Sequence, residues 1–291
     1  MINLRDKEIA ALSRILTVKS SGMELTDDFS DQWKVLIYDN DCRDIISPLL
    51  NVGELRKKGV TLHMLIQTER EAVPDAPAVY FIRPTEENLK RVVADCAKQL
   101  YRSVYLHFVT RIERPMMERF AQDLVAANAA GNISKVYDEY LDLIALEPSL
   151  FTLNAKDSFI AYNDPSLSEA QIRSYISRVS MGLTSMVRAL GYLPVIRAPS
   201  GGAAEMLAQD LCSSLRDNIA PRGPAHALFS ESLSSDRPRF VIFIFALIFS
   251  LACFMYDTRK TIAQASSVDF RSYSRYGSAA STHVDVPVAD R

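Results

Sequence analysis

The sequence is short of the residues from which most catalytic and cofactor-binding motifs are built. Its 291 residues hold 10 glycines, 4 cysteines, 4 histidines and a single tryptophan. Glycine is too sparse for a phosphate-cradling loop, and neither GxxxxGKS/T nor GxGxxG occurs. The cysteines, Cys42, Cys96, Cys212 and Cys253, lie far apart with no CxxC spacing. That argues against a thiol metal site and for buried, reduced thiols in a cytosolic protein. The histidines His63, His107, His226 and His283 share no ligand spacing, and no GxSxG nucleophile elbow exists. An excess of one charge is missing too. With 33 basic and 35 acidic residues the net charge is −2, so no basic field invites nucleic acid. The opening MINLRDKEIA is charged from the start and reads as no secretory signal. Asn132-Ile133-Ser134 fits a glycosylation acceptor, which stays idle in the cytosol.

What is present is an α/β pattern. Residues 4–17 carry apolar positions at Leu4, Ile9, Leu12, Ile15 and Leu16, a short amphipathic helix. Val35–Tyr38, Leu62–Ile66, Val79–Ile82 and Val104–Val109 are short β-branched or aromatic runs, as buried parallel strands tend to be. A helical segment, DIISPLLNVGELRKKG, separates the first two. Thr85 sits where an N-cap belongs, followed by Glu86 and Glu87, whose charges suit the positive helix end. Leu89, Val92, Val93, Cys96 and Leu100 then mark one helical face. Alternating strand and helix predicts a doubly wound parallel sheet flanked by helices over residues 1–146.

A second, partial α/β domain is expected over 147–238. It offers a strand at Leu150–Leu153, a long helix around Glu169–Leu190, a strand at Leu193–Arg197 and a helix from about Gly202 to Asn218. Ala220–Asp236, rich in Pro, Gly and Ser, reads as a loop. An intensely apolar segment occupies 239–258, and the tail 259–291 reads as disordered.

Two places suggest chemistry. In VLIYDNDCRD an apolar strand delivers Asp39 and Asp41, like the opening of a haloacid-dehalogenase-type phosphotransferase. There the first Asp is nucleophile and the second a general acid beside Mg²⁺. That chemistry also needs an acidic metal-binding pair at a later strand end, and none is evident. Two solvated carboxylates in a βα turn is the alternative. Ala198-Pro199-Ser200-Gly201-Gly202, beside Arg197, sits between a strand and a helix, where an anion cradle or a plain structural turn both fit.

Residues 115–151 read as helix, break, helix. Met117, Phe120, Ala121 and Leu124 fall at i, i+3, i+4, i+7 on one stripe. Gly131-Asn132 is expected to break that helix, with Asn132 capping the next. Ile133, Val136, Tyr137, Tyr140, Leu141 and Ile144 continue at helical spacing. Two crossing helices would leave a shallow apolar groove for a short peptide with one or two bulky anchors. The same spacing fits a stripe buried against the sheet.

The strings WKVLIYD, DIISPLL, ELRKKGVTLHMLI, PAVYFIRPTEENLKR, KVYDEYLDLIALEPSLF, YNDPSLSEAQI and LPVIRAPSGGAAEMLAQDL resemble the SM (Sec/Munc) family of syntaxin-binding regulators of SNARE assembly. The resemblance is strongest to its Sly-type branch in ER–Golgi traffic, and it runs over roughly residues 5–240. It implies a non-enzymatic protein without cofactor, cytoplasmic and peripheral at ER and Golgi membranes. The partners it implies are a syntaxin-type SNARE and the assembled SNARE complex. In that family the first domain holds an N-terminal syntaxin peptide in a hydrophobic surface pocket, whose residues fall here on Met117, Phe120, Ala121, Ile133 and Val136. Phe120 stands where an aliphatic residue is usual, and Leu124, by spacing, supports the floor.

By that resemblance the chain is expected to be the N-terminal part of such a protein. SM proteins are about twice as long, and after Arg237-Pro238 the pattern gives way to RFVIFIFALIFSLACFMYDTRK. Phe240–Tyr256 is 17 residues without a charge, at the short end for a membrane span. A C-terminal anchor, a buried strand and a misassembled coding sequence all remain open, as does a fragment without function.

Overall fold

The computed structural model describes residues 3–17, 33–155, 164–219, 229, 240–244, 252–254, 256–257 and 283–286. Its contacts divide the chain into two compact units, Arg5–Asp142 and one holding most of the remainder. The first is built on a five-stranded sheet of β1 (Lys34–Tyr38), β2 (Val60–Leu65), β3 (Ala78–Ile82), β4 (Val104–Phe108) and β5 (Ile133–Asp138). The order is β2-β1-β3-β4-β5 with every pairing parallel, a doubly wound sheet. β1 and β3, in its interior, are buried along their whole length, which is why they read as unbroken apolar runs.

Helices cover both faces. α4 (Glu86–Ala97) and α5 (Arg114–Ala126) lie over the face presenting Val35, Ile37, Tyr80, Ile82, Leu106 and Phe108; Leu89, Val92, Phe120 and Leu124 join them in one core. On the opposite face, Leu36 and Phe81 meet residues of α1 (Leu4–Ile15), α2 (Asn40–Ile46) and α3 (Val52–Lys57) around a small apolar cavity. Local signals set the helix starts. Asp39 caps α2, Asn51 and Glu54 form a capping box on α3, and the Thr85 hydroxyl accepts the Asn88 N–H to open α4.

The helix expected over Ile133–Ile144 is not there. Ile133–Asp138 is an edge strand, and Ile144–Glu147 is β6, which turns at Pro148 into β7 (Leu150–Thr152). The misleading spacing comes from a bulge. Val104 pairs with Ile133 but Tyr105 with Lys135 and Leu106 with Val136, so Ser134 is an extra residue in the strand. Ile133 and Val136, three apart, therefore share a sheet face as they would share a helix face. The stop of α5 is also earlier than Gly131-Asn132. Asn128 takes a left-handed conformation (φ 52°), its N–H bonds the Val125 carbonyl, and the Ala129 N–H bonds the Leu124 carbonyl at 2.9 Å. That is a Schellman ending with Asn in place of Gly, sealed by buried Ala129 against Leu124.

The second unit pairs α6 (Glu169–Leu190) with α7 (Gly202–Ile219) beside β8 (Val195–Pro199). A Ser168–Gln171 capping box opens α6, and Gly191 closes it at φ 75°. β9 (Phe240–Phe243) runs parallel to β8, with Ile242 and Ile244 buried, so the described start of the apolar segment is a strand. β10 (Ala252–Phe254) joins β7, and β11 (Tyr256–Asp257) joins β9. Among the described residues no helix is long and apolar enough to cross a membrane. The tail was expected to be unstructured, yet His283–Val286, alternating polar and apolar, forms β12 against β8. The rest of the tail and the expected loop at Ala220–Asp236, apart from Phe229, lie outside the described residues.

Candidate functional site

In an open parallel sheet the usual ligand crevice lies beyond the carboxyl ends of the strands where the order reverses, here between β1 and β3. Asp39 follows β1 and Arg83 follows β3, so the expected catalytic carboxylate does reach that place. Both of its oxygens are already engaged. Oδ1 accepts the Cys42 N–H at 2.8 Å, and Oδ2 accepts the Arg83 N–H at 2.7 Å and the Asn88 amide at 2.9 Å. Asp39 is 6% exposed. The Arg83 guanidinium spans Asp41 (Nε, 2.9 Å) and buried Asp142 (3.0 and 2.5 Å). Asp41 is thus an ion-pair partner, and the crevice is filled by the chain's own charges. This geometry does not support the phosphotransferase reading: Asp39 is a helix cap with both oxygens accepting from the protein's own donors, and no group of three or more metal-capable side chains exists among the described residues.

The other polar candidates resolve in the same way. Gly201 and Gly202 are both left-handed, as a backbone cradle requires, but the Gly201 N–H is taken by the Glu205 carboxylate at 2.6 Å. His63 bonds the Tyr38 hydroxyl at 2.9 Å, and His107 bonds Glu139 at 2.7 Å while stacking on Tyr137. Cys42, Cys96 and Cys212 are buried free thiols. Burial, aided by Asp95, pushes the Cys96 thiol up to about 12, far from reactive. The side-chain amide of Asn132, the atom a glycan would occupy, donates to the Cys96 carbonyl at 2.8 Å.

The residues expected to hold a peptide fall on α5 and β5. Phe120 (3% exposed) and Leu124 (6%) are buried in the core. Met117 and Ile133 are half-buried against the same core. Val136, beside Leu106 on the α5 face of the sheet, is 38% exposed, and Ala121 is exposed on α5. Four of the expected residues thus pack together in one core, and Ala121 and Val136 are exposed. They lie on a helix and a strand, where two helices were expected. Sequence reasoning singled out Asp39 and Asp41 but missed their meeting with Arg83 and Asp142, for which the visible hint was an arginine immediately after a buried strand.

A family described as the Sec1 family matches residues 34–245. The SEC1 family transport protein SLY1 of Arabidopsis thaliana is 40% identical over 246 residues, covering 83% of this chain and 39% of the relative. Sec1 family domain-containing protein 1 of Homo sapiens is 39% identical over 237 residues, 78% of this chain and 36% of the relative. The chain therefore spans less than two-fifths of the length of these relatives. Among solved structures, Sly1p in complex with an N-terminal peptide of Sed5p superimposes with a TM-score of 0.69 at 35% identity, covering 76% of this chain and 40% of that one. The SM protein Vps45 in complex with the Qa SNARE Tlg2 gives 0.66 at 20% identity over 84% of this chain and 40% of that one, a likeness of fold.

Proposed function

The chain belongs to the Sec1 family, and from that premise we propose that it binds the N-terminal peptide of a syntaxin-type SNARE in the strip between α5 and β5. Through that contact it regulates SNARE assembly in ER–Golgi vesicle transport, as a cytoplasmic protein peripheral to those membranes. No catalytic step enters this reading, because the carboxylates that could supply one are spent on structure.

The observation that supports the proposal is that Ala121 and Val136 are exposed on the two elements whose Phe120, Leu124 and Ile133 pack into one apolar core. An apolar anchor seated there loses its hydration against Met117 and Ile133. Burying one such side chain contributes about 1.5–3 kcal/mol, enough for a helper site of modest affinity. That Sly1p was solved in complex with an N-terminal peptide of Sed5p supports the choice of an N-terminal peptide as ligand.

The test is titration of a fluorescein-labelled Sed5p N-terminal peptide with the full chain and with Ala121→Glu, read by anisotropy. Ala121 is exposed in mid-helix, where Glu costs little helix propensity, so the fold should survive. The variant is expected to lose at least tenfold in affinity. Equal binding by both proteins would remove this strip as the site.

A further inference from the structure

The turn carrying the chain from α5 into β5 is tied down by one side chain. Asn132 donates its amide to the Cys96 carbonyl in the last turn of α4, at 2.8 Å, an oxygen that also accepts the Gln99 and Lys98 N–H groups closing that helix end. Its own N–H closes onto the Ala129 carbonyl at 3.1 Å. Ile133, the first residue of β5 and a wall of the strip, follows directly.

β5 needs such a tie. It is an edge strand of its sheet, paired on one side by β4, and it carries the extra residue at Ser134. The far end of the strand is held by the Glu139 N–H on the Phe108 carbonyl and by His107 against Tyr137 and Glu139, so its start depends on the turn; a slip of one position there would exchange the two faces. Val136 would then leave the α5 side, and Lys135 or Tyr137 would take its place. We infer that Asn132 is a positioning residue for the peptide strip: by bonding the α5–β5 turn to the end of α4, it fixes the start of β5 and so keeps Ile133 and Val136 facing α5. This rests on the peptide-binding reading above and deepens it.

The experiment compares wild type, Asn132→Ala and Thr85→Ala in the full chain with the labelled Sed5p peptide. Thr85→Ala removes the cap at the opposite end of the same helix, so it supplies a matched loss of α4 stability without touching the turn. Asn132→Ala is expected to weaken the peptide by about five- to tenfold, the equivalent of one lost hydrogen bond, and Thr85→Ala by less than about twofold. Amide resonances of Val136 and Tyr137 should move in Asn132→Ala and stay in Thr85→Ala. If Asn132→Ala is unfolded at the assay temperature, Asn132→Asp, which keeps the shape and loses the donor, replaces it under the same criteria. Equal affinities and unmoved resonances in the Asn132 and Thr85 variants overturn the inference, while Ala121→Glu still tests the site. A wild-type chain that ignores the peptide, or binds it no better than Ala121→Glu does, sinks the site reading and this inference together.

Discussion

Asp39→Asn separates structural from catalytic duty at the point where the sequence most resembles an enzyme. The substitution keeps shape and removes one acceptor. Asparagine has a single carbonyl oxygen, but Asp39 serves three donors from two sides: Cys42 on one, Arg83 and Asn88 on the other. Turned toward Arg83 and Asn88, the new amide nitrogen faces the Cys42 N–H and the cap of α2 is lost. Turned toward Cys42, it faces two donors. The first arrangement is cheaper, because it leaves one buried donor, the Cys42 N–H of the cap, unpaired at about 1–3 kcal/mol. That loss should lower the melting temperature by roughly 3–9 °C for a unit of this size.

Asp41→Asn is the internal control. Its carboxylate is 44% exposed and makes one ion pair with Arg83, so the variant should cost less than about 1 kcal/mol. Urea unfolding followed by circular dichroism reads both variants, with an unchanged slope confirming that stability is what moved. Hydrolysis of p-nitrophenyl phosphate with Mg²⁺ is measured in parallel. A phosphotransferase would lose turnover in both variants with its stability little affected. A stability loss confined to Asp39→Asn, with no hydrolysis in wild type, is expected here. If Asp39→Asn melts within a degree of wild type, the buried-cap argument is wrong.

Two further perturbations probe the same unit. Lys34 is buried with its ammonium on the Leu16 carbonyl at 2.7 Å, and burial, helped by Lys58, lowers its pKa below the usual 10.5. The unfolded chain therefore holds this proton more tightly, so the penalty grows as pH falls from 10.5 through the depressed value. Wild type should gain stability relative to Lys34→Met between neutral pH and about 10.5, measured by urea titration at each pH; a flat difference would refute it. Tyr80→Phe removes a fully buried hydroxyl that donates to Asp95 at 2.7 Å, beside the Arg70–Asp95 ion pair. It should cost about 2 kcal/mol in chemical denaturation, and a loss below about 0.5 kcal/mol would show that the carboxylate does not depend on it.

What could be read in advance follows from where each element's information lies. β1, β3 and β4 announce themselves because a strand buried on both faces must be apolar along its length, and α4 because its cap, its acidic first turn and its stripe are all local. The ionic cluster is silent, because Asp39 finds Arg83 and Asn88 at separations of 44 and 49 residues, and no spacing encodes such a meeting. The end of α5 was missed because its left-handed residue is Asn128, while Gly131, the more conspicuous breaker, has open space where a Cβ would stand.

β5 is the instructive failure. Ile133, Val136 and Tyr137 sit at helical spacing, yet the alternation of the sheet favoured a strand there. In a parallel sheet the helix after a strand is commonly the crossover to the next one, so α5 favoured a strand after it. The short β-branched and aromatic run ISKVYD was the available candidate. Periodicity is decided within one turn of chain, whereas the crossover rule is decided by the whole sheet, and an inserted residue at Ser134 set the two in conflict. The pair Ile133 and Val136 survives the change of element because the bulge restores, across a strand, the shared face that a helix would have given them.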